Sequence, residues 1–447
     1  MKRLLFTIFC ILCCGVCNSA QIVNVEYIHK LIEQQYGISV PYNSELTNPH
    51  VAANMKYLLT TIDAANSILN GEQITDYGNG AYATTVATDT VATLEMVRDH
   101  IRNYKFFATT TPDTTSFSFT ISASGVFHID WGDGTQESYR KNNTTTTTYS
   151  HEYATAGEYV IKIGGYRTGG NSLSFQNNLN LAKIDGSLGA IFSTIKNKNG
   201  SVSNPSFKSL FSNCTNLTGT IPPDLFKGIY GQPSSSMFES IFKNDAKLTG
   251  SIPEKLFGNL YGVPQYSMFS STFAGCSDLT GSIPNKLFGE FSGAPQPYMF
   301  DAVFKGCSGL SGSIPKNLFT GIKGTVTLCS YRDVFSGCSG LTGFIPDKLF
   351  GEITDYTSQW NFAGTFAGCK GLTGSIPNDL FGPITKILLA MFKGTFSNCS
   401  GLTGESIKIN DKFLYDIYSN IDTVNISDMY QGCTGLTDYV NIPAAWK

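Results

Sequence analysis

Cysteine is the residue type in this chain with the most chemistry to offer, and its spacing says what kind. Twelve cysteines occur in the 447 residues, and four of them, Cys10, Cys13, Cys14 and Cys17, fall in the first twenty. Of the other eight, Cys214, Cys276, Cys307, Cys338, Cys369, Cys399 and Cys433 occupy one position of a recurring pattern, and Asp245 and Asn178 fill that position in two further units. Eight thiols in an exported chain invite a disulfide framework. A slot that also accepts Asn178 and Asp245 asks instead for a small group that hydrogen-bonds to the backbone of a turn. A ladder of buried thiols is therefore the preferred reading over bridges, although rungs about 5 Å apart do not exclude a bridge on distance. Cys329 stands out of register, either as a free thiol or as a partner for a neighbour after oxidation.

The remaining chemistry-bearing residues point away from catalysis. All five histidines, His29, His50, His100, His128 and His151, precede the repeats, so the repeat region offers no imidazole base or metal pair, and His151 reads as structural. No phosphate-binding loop, dinucleotide fingerprint, zinc-protease motif or nucleophile elbow occurs. The repeat carboxylates mostly follow proline, as in Pro223-Asp224, Pro253-Glu254 and Pro346-Asp347, where an acidic residue suits a first helical turn. Asp130 and Asp133 read as turn-formers ahead of calcium ligands, because a loop of closely spaced carboxylates is missing. The expectation is a protein that is not an enzyme, with no cofactor and no metal. A net charge of -3 offers no basic field for nucleic acid.

Three regions must position these residues. Lys2 and Arg3, the apolar run Leu4 to Val16 and the small residues ending at Ala20 read as an export signal over 1–20, too short to span a membrane and with a poor lipid-attachment fit at Cys17 and Cys13. No later run is long enough to span, and no sorting motif is recognised over 441–447, so the expected location is secreted or cell surface. Residues 21–104 show helical periodicity, clearest in Met55, Leu58, Leu59, Ile62, Ile68 and Leu69, and read as a helical region for spacing or self-association. From Phe106 the period becomes two, in Phe117, Phe119 and Ile121 and again in Tyr159, Ile161 and Ile163, which predicts strands over 105–166. Between them Gly132-Asp133-Gly134 predicts a tight turn.

The third region, 171–447, is an array. From Cys214 to Cys369 the step is 31 residues five times running, then 30 and then 34. Each unit reads Phe-x-x-Cys-x-x-Leu-Thr-Gly-x-Ile-Pro-x-x-Leu-Phe and closes with Met-Phe, giving a solenoid of about nine units capped by the deviant units at Asn178 and Cys433. Leu-Thr-Gly-Ser-Ile-Pro is the expected strand, with proline at its end and a short helical turn after it. The variable segment between Leu-Phe and Met-Phe holds Tyr230, Tyr261, Tyr266, Phe291, Tyr298, Tyr331, Tyr356 and Trp360, which are either ligand contacts or packing for their own rung.

The pair Trp131-Gly132-Asp133-Gly134-Thr135 and His151-x-Tyr153-x-x-x-Gly157-x-Tyr159 resembles the PKD module, an immunoglobulin-like β-sandwich of extracellular proteins in which such residues mainly build the fold. Phe-x-x-Cys-x-x-Leu followed by an Ile-Pro strand is similar to the BspA-like leucine-rich repeats of bacterial surface proteins, and Leu-Thr-Gly-Ser-Ile-Pro also resembles the plant-type repeat. The resemblance covers some 60% of the chain, and its 31-residue period departs from the shorter BspA-like unit. It implies adhesion to a host or neighbouring-cell protein or glycan. The alternatives are a surface coat or spacer assembled through the helical region, and an accessory module of polysaccharide degradation.

Overall fold

The computed structural model describes residues 104–447 apart from Lys198, Asn199 and Gly258. The expected export signal over 1–20, and the helical region over 21–104 except Tyr104, lie outside the described residues. Where the period of two begins, so do strands: β1 (Tyr104–Thr110), β2 (Thr114–Asp130), β3 (Gln136–Lys141), β4 (Thr147–Gly157), β5 (Val160–Ser174) and β6 (Leu181–Gly186). Hydrogen bonds join all six in one sheet of order β3-β2-β5-β1-β6, with β4 also on β2. The 17-residue β2 makes this possible, because its first half pairs with β4 and its second half with β3. Phe117, Phe119 and Ile121 alternate inward with exposed or half-exposed neighbours, as the pleat requires. The strands expected over 105–166 are present, linked by hydrogen bonds, and continue past that boundary, β5 to Ser174 and β6 into the first unit of the array.

Beyond β6 the chain is a β-solenoid held by three parallel ladders. The first is the expected one: Leu248–Thr249 pairs with Gly219–Thr220, Leu372–Thr373 with Gly343–Phe344, and single bridges join Gly312 to Leu341 and Gly374 to Leu402. A single turn follows, in which Leu225, Leu256, Leu318 and Leu380 donate their N–H to the carbonyls of Pro222, Pro253, Pro315 and Pro377. The second ladder lies in the segment whose composition varies most. Tyr230–Gly231, Asn259–Gly262 and Glu290–Phe291 pair in sequence, as do Lys323–Val326 and Glu352–Tyr356.

The third ladder carries more hydrogen bonds than either strand ladder, yet it contains no strand. Along 236–244, the N–H groups of Ser236, Phe238, Ser240, Phe242 and Asn244 donate to carbonyls of Tyr266, Met268, Ser270, Thr272 and Ala274 in the following rung. Between them Glu239, Lys243 and Asp245 donate back to Ser236, Ser240 and Phe242 of their own rung. Such alternation needs a left-handed residue every fourth position, and Ser236, Ser240 and Asn244 have φ of 56°, 57° and 66°. Gly275, Gly306, Gly337 and Gly368 take the last of these positions in the next rungs, which is why glycine or asparagine precedes the ladder cysteine.

Three aromatic stacks run the length of the solenoid. Phe211, Phe242, Phe273, Phe304, Phe335, Phe366 and Phe396 follow one another at 5.4 to 5.9 Å between ring centroids. Phe207, Phe238, Phe269, Phe300, Tyr331, Phe362 and Phe392 form the second stack, and Phe226, Phe257, Phe288, Phe319, Phe350 and Phe381 the third. Neither end of the first stack is bare. Phe175 of the sheet region lies 5.8 Å from Phe211 and 5.3 Å from Phe119, so the sheet core and the first rung are one interior. Buried Arg167 of β5 reinforces this junction by donating to the carbonyls of Ser193 and Ser203. At the far end Tyr430 stacks on Phe396 at 5.9 Å and on Trp446 at 6.3 Å, and it donates its N–H to the Trp446 carbonyl. A helical turn at Leu414–Ile417 lies in this closing segment.

Candidate functional site

The two aspartates with metal-ligand potential are occupied by their own turn. Gly132 and Gly134, at φ of 87° and 96°, reverse the chain, and a Cβ on Gly132 would come within 2.8 Å of the Val160 carbonyl. Asp130 accepts the Gly132 N–H at 3.0 Å and the Gln136 Nε2 at 2.9 Å, with Lys162 Nζ at 3.4 Å. Asp133 accepts the Thr135 N–H at 2.9 Å and lies 2.7 Å from His151 Nε2. Burial works against the charge of Asp133, but the bonds from His151 and Thr135 outweigh it and hold its carboxyl below the usual range. His151 in turn stacks on Trp131 at 5.2 Å, Tyr153 donates to the Trp131 carbonyl at 2.9 Å, and Tyr153 and Tyr159 stack at 3.7 Å. The two motifs therefore lock together as one structural cluster. Among the described residues no group of three His, Cys, Asp or Glu side chains is placed to hold a metal.

The cysteines form the expected ladder, and all eight in the described chain are buried free thiols. Cys276, Cys307, Cys338, Cys369 and Cys399 each donate through Sγ to the carbonyl of Phe242, Phe273, Phe304, Phe335 and Phe366 in the rung before, at 2.9 to 3.1 Å. Cys214 and Cys433 do the same to Phe175 and Phe396 at 3.1 and 2.9 Å. Burial pushes Cys214, Cys307, Cys369 and Cys433 up to about 12, and Cys276, Cys338 and Cys399 well above the ordinary thiol value. Thiols so held are poor nucleophiles. Asn178 stands at the head of this register, but its side chain leaves the ladder and donates to the Ser118 carbonyl of β2 at 2.8 Å. Asp245 remains in the ladder and is fully buried.

The aromatic residues of the variable segment divide by register. Phe291 continues the inward row of Ile229, Leu260, Ile322 and Ile353, and all five are buried. Tyr331 is a member of the second stack and donates its hydroxyl to the Phe350 carbonyl at 3.2 Å, and Tyr356 is buried with its hydroxyl on the Phe381 carbonyl. These three are core residues, not ligand contacts, because the second ladder turns Phe291 and Tyr356 inward and the third does the same for Tyr331. Tyr298 and Trp360 are half-buried at left-handed positions with φ of 58° and 61°. Arg332, bonded to Asp301 at 2.8 Å by two nitrogens, lies over the Tyr298 ring. Tyr230, Tyr261 and Tyr266 are the members that reach solvent, at 37%, 58% and 48% exposure. Tyr230 and Tyr261 are exposed on successive strands of the second ladder, where Tyr230 lies opposite Asn259, two residues before Tyr261, and Val263 is exposed beside Tyr261 in sequence.

Residues that composition alone does not single out form a polar cavity of about 620 Å³ beside β2. Ser116, Ser118, Thr148, Ser150, Glu152 and Asn177 are among its lining residues, and Asn178 and Asn180 cover the carbonyls of Ser118 and Ser116 along it. Among the described residues no helix is long and apolar enough to cross a membrane. No protein-family model matches the chain, and no similar protein was found among curated sequences or solved structures.

Proposed function

We propose that this protein is a non-enzymatic extracellular binding protein whose solenoid presents an outward tyrosine strip to a protein or glycan ligand. The observation that carries the reading is the outward pair Tyr230 and Tyr261 with Tyr266. Among the described residues most phenylalanines are buried, whereas Tyr230 and Tyr261 are exposed on the second ladder and Tyr266 is exposed where the third ladder begins. Tyrosine there supplies apolar area with a polar tip at little conformational cost. The finer reading is a BspA-like surface protein of about nine units with a PKD-like module before them, exported by the segment 1–20. It rests on the motif register and the interlocked Trp131 and His151 cluster.

The test is a binding screen of the full chain against extracellular-matrix proteins and glycan arrays, repeated with Tyr230→Ala, Tyr261→Ala and Tyr266→Ala combined. A ligand whose affinity falls by tenfold or more, about 1.4 kcal/mol, in a variant of unchanged thermal stability supports the reading. A ligand bound equally well by the triple variant removes the strip from the function. A spacer role is the second reading, favoured by an interior that is continuous from Phe106 to Trp446. Light scattering with and without residues 21–104 separates a self-associating spacer from a monomeric receptor.

A further inference from the structure

Seven cysteines in the ladder supply a donor to a phenylalanine carbonyl; of the two other residues of that register, Asn178 turns away to Ser118 and only Asp245 stays in the ladder. Cys276 donates to Phe242, Cys307 to Phe273 and Cys338 to Phe304, always 34 residues back. The same offset from Asp245 reaches Phe211. The carbonyl of Phe273 accepts both the Cys276 N–H and the Cys307 thiol. The carbonyl of Phe211 accepts the Cys214 N–H at 3.0 Å, and Asp245 stands where the second donor belongs. An ionised carboxylate has no proton to donate there. Both oxygens of Asp245 are buried without a hydrogen-bond partner, and no ion pair reaches it among the described residues. An unpaired carboxylate in such a place is far costlier than a neutral acid.

We propose that Asp245 fills its rung as a neutral carboxylic acid whose hydroxyl donates to the Phe211 carbonyl, and that losing this proton is a pH switch that loosens the rungs between Phe211 and Cys276. The titratable groups facing it are Cys214 in the rung before and Cys276 in the rung after. Both are thiols that burial pushes up, Cys214 to about 12 and Cys276 well above its usual value, so neither supplies a positive charge. Burial likewise pushes the Asp245 carboxyl up to about 8, against the pull of the Cys214 backbone.

The sign follows from which state keeps the proton. The unfolded chain releases it near the ordinary aspartate value of about 3.9, whereas the folded chain holds it until its raised value. The stability contributed by this site is therefore complete below about pH 4. It falls about tenfold in folding equilibrium constant per pH unit as pH rises toward the folded value, and is level beyond it.

The experiment compares the full chain with Asp245→Cys, which restores the ladder thiol, and Asp245→Asn, a neutral side chain that keeps a donor. Denaturant unfolding is followed in about one-unit steps from roughly pH 5 to pH 9. The folding constant of the natural chain should fall about tenfold per unit relative to both variants up to the folded value and run parallel above it. Parallel profiles throughout overturn the proposal. Infrared difference spectra of natural chain minus Asp245→Cys give a second readout that needs no unfolding. A protonated-carboxyl C=O band near neutral pH that disappears at alkaline pH is expected, and its absence near neutral pH overturns the proposal.

Discussion

Within the Phe-x-Gly-Cys tetrad the glycine and the cysteine answer different demands, and substitutions separate them. Gly306 has φ of 77°, and a Cβ there would meet nothing nearer than 3.6 Å from Gly275. Space is available, so the objection to a side chain is conformational. Gly306→Ala should destabilise by about 1–2 kcal/mol, measured by urea unfolding, and Gly306→Asn by less, since Asn213 and Asn244 already occupy this slot with their amides joined at 2.7 Å. Cys307 is fully buried, and Cys307→Ala removes both a donor to Phe273 and the sulfur volume. A loss of about 1–3 kcal/mol is expected in the same assay. The exchange of glycine with asparagine at one slot, and of cysteine with aspartate at the next, was legible in the sequence. The burial of Phe291 and Tyr331 was also written there. Residue 291 is 31 after Leu260, and residue 331 is 31 after Phe300 and 31 before Phe362. Weighing aromatic character ahead of register hides it.

At the level of elements, position in the rung decides what an aromatic ring is worth. Phe304 lies in the first stack, 5.7 Å from Phe273 and 5.9 Å from Phe335, and Phe304→Ala should cost about 3–5 kcal/mol. Phe344 occupies an outward place filled by Ser251, Ser282, Ser313 and Ser375 in other rungs, and it is 70% exposed. Phe344→Ser should change stability by no more than about 0.5 kcal/mol, so thermal melts of the two variants, run together, test the inward and outward assignment. The first ladder was legible because Leu-Thr-Gly recurs with a proline marking its end. The third was not. Met237, Phe238, Ile241 and Phe242 have the spacing of a helical stripe, but a left-handed residue every fourth position turns half of the N–H groups out to the next rung. Hydrophobic period alone cannot distinguish that backbone from a helix.

On the scale of the molecule, the sheet and the solenoid share one apolar interior from Phe106 to Trp446. They should therefore melt together, and calorimetry of the full chain should give one transition for the described region rather than separate ones for sheet and array. Thiol labelling offers a parallel measurement. All eight described cysteines are buried, so a thiol reagent should find them unreactive in the native state and label them together as the transition proceeds. Early labelling of Cys399 and Cys433 alone would show instead that the far end opens by itself.

The identical register from Cys276 to Cys369, bounded by Phe175 at one end and Trp446 at the other, has a consequence for growth. Duplicating residues 277–307 would insert a unit that meets the same neighbours as the one it copies, and neither cap would sense the change. Each duplication would lengthen the array by about 4.8 Å, so the reach of the array could change by whole rungs while its fold does not.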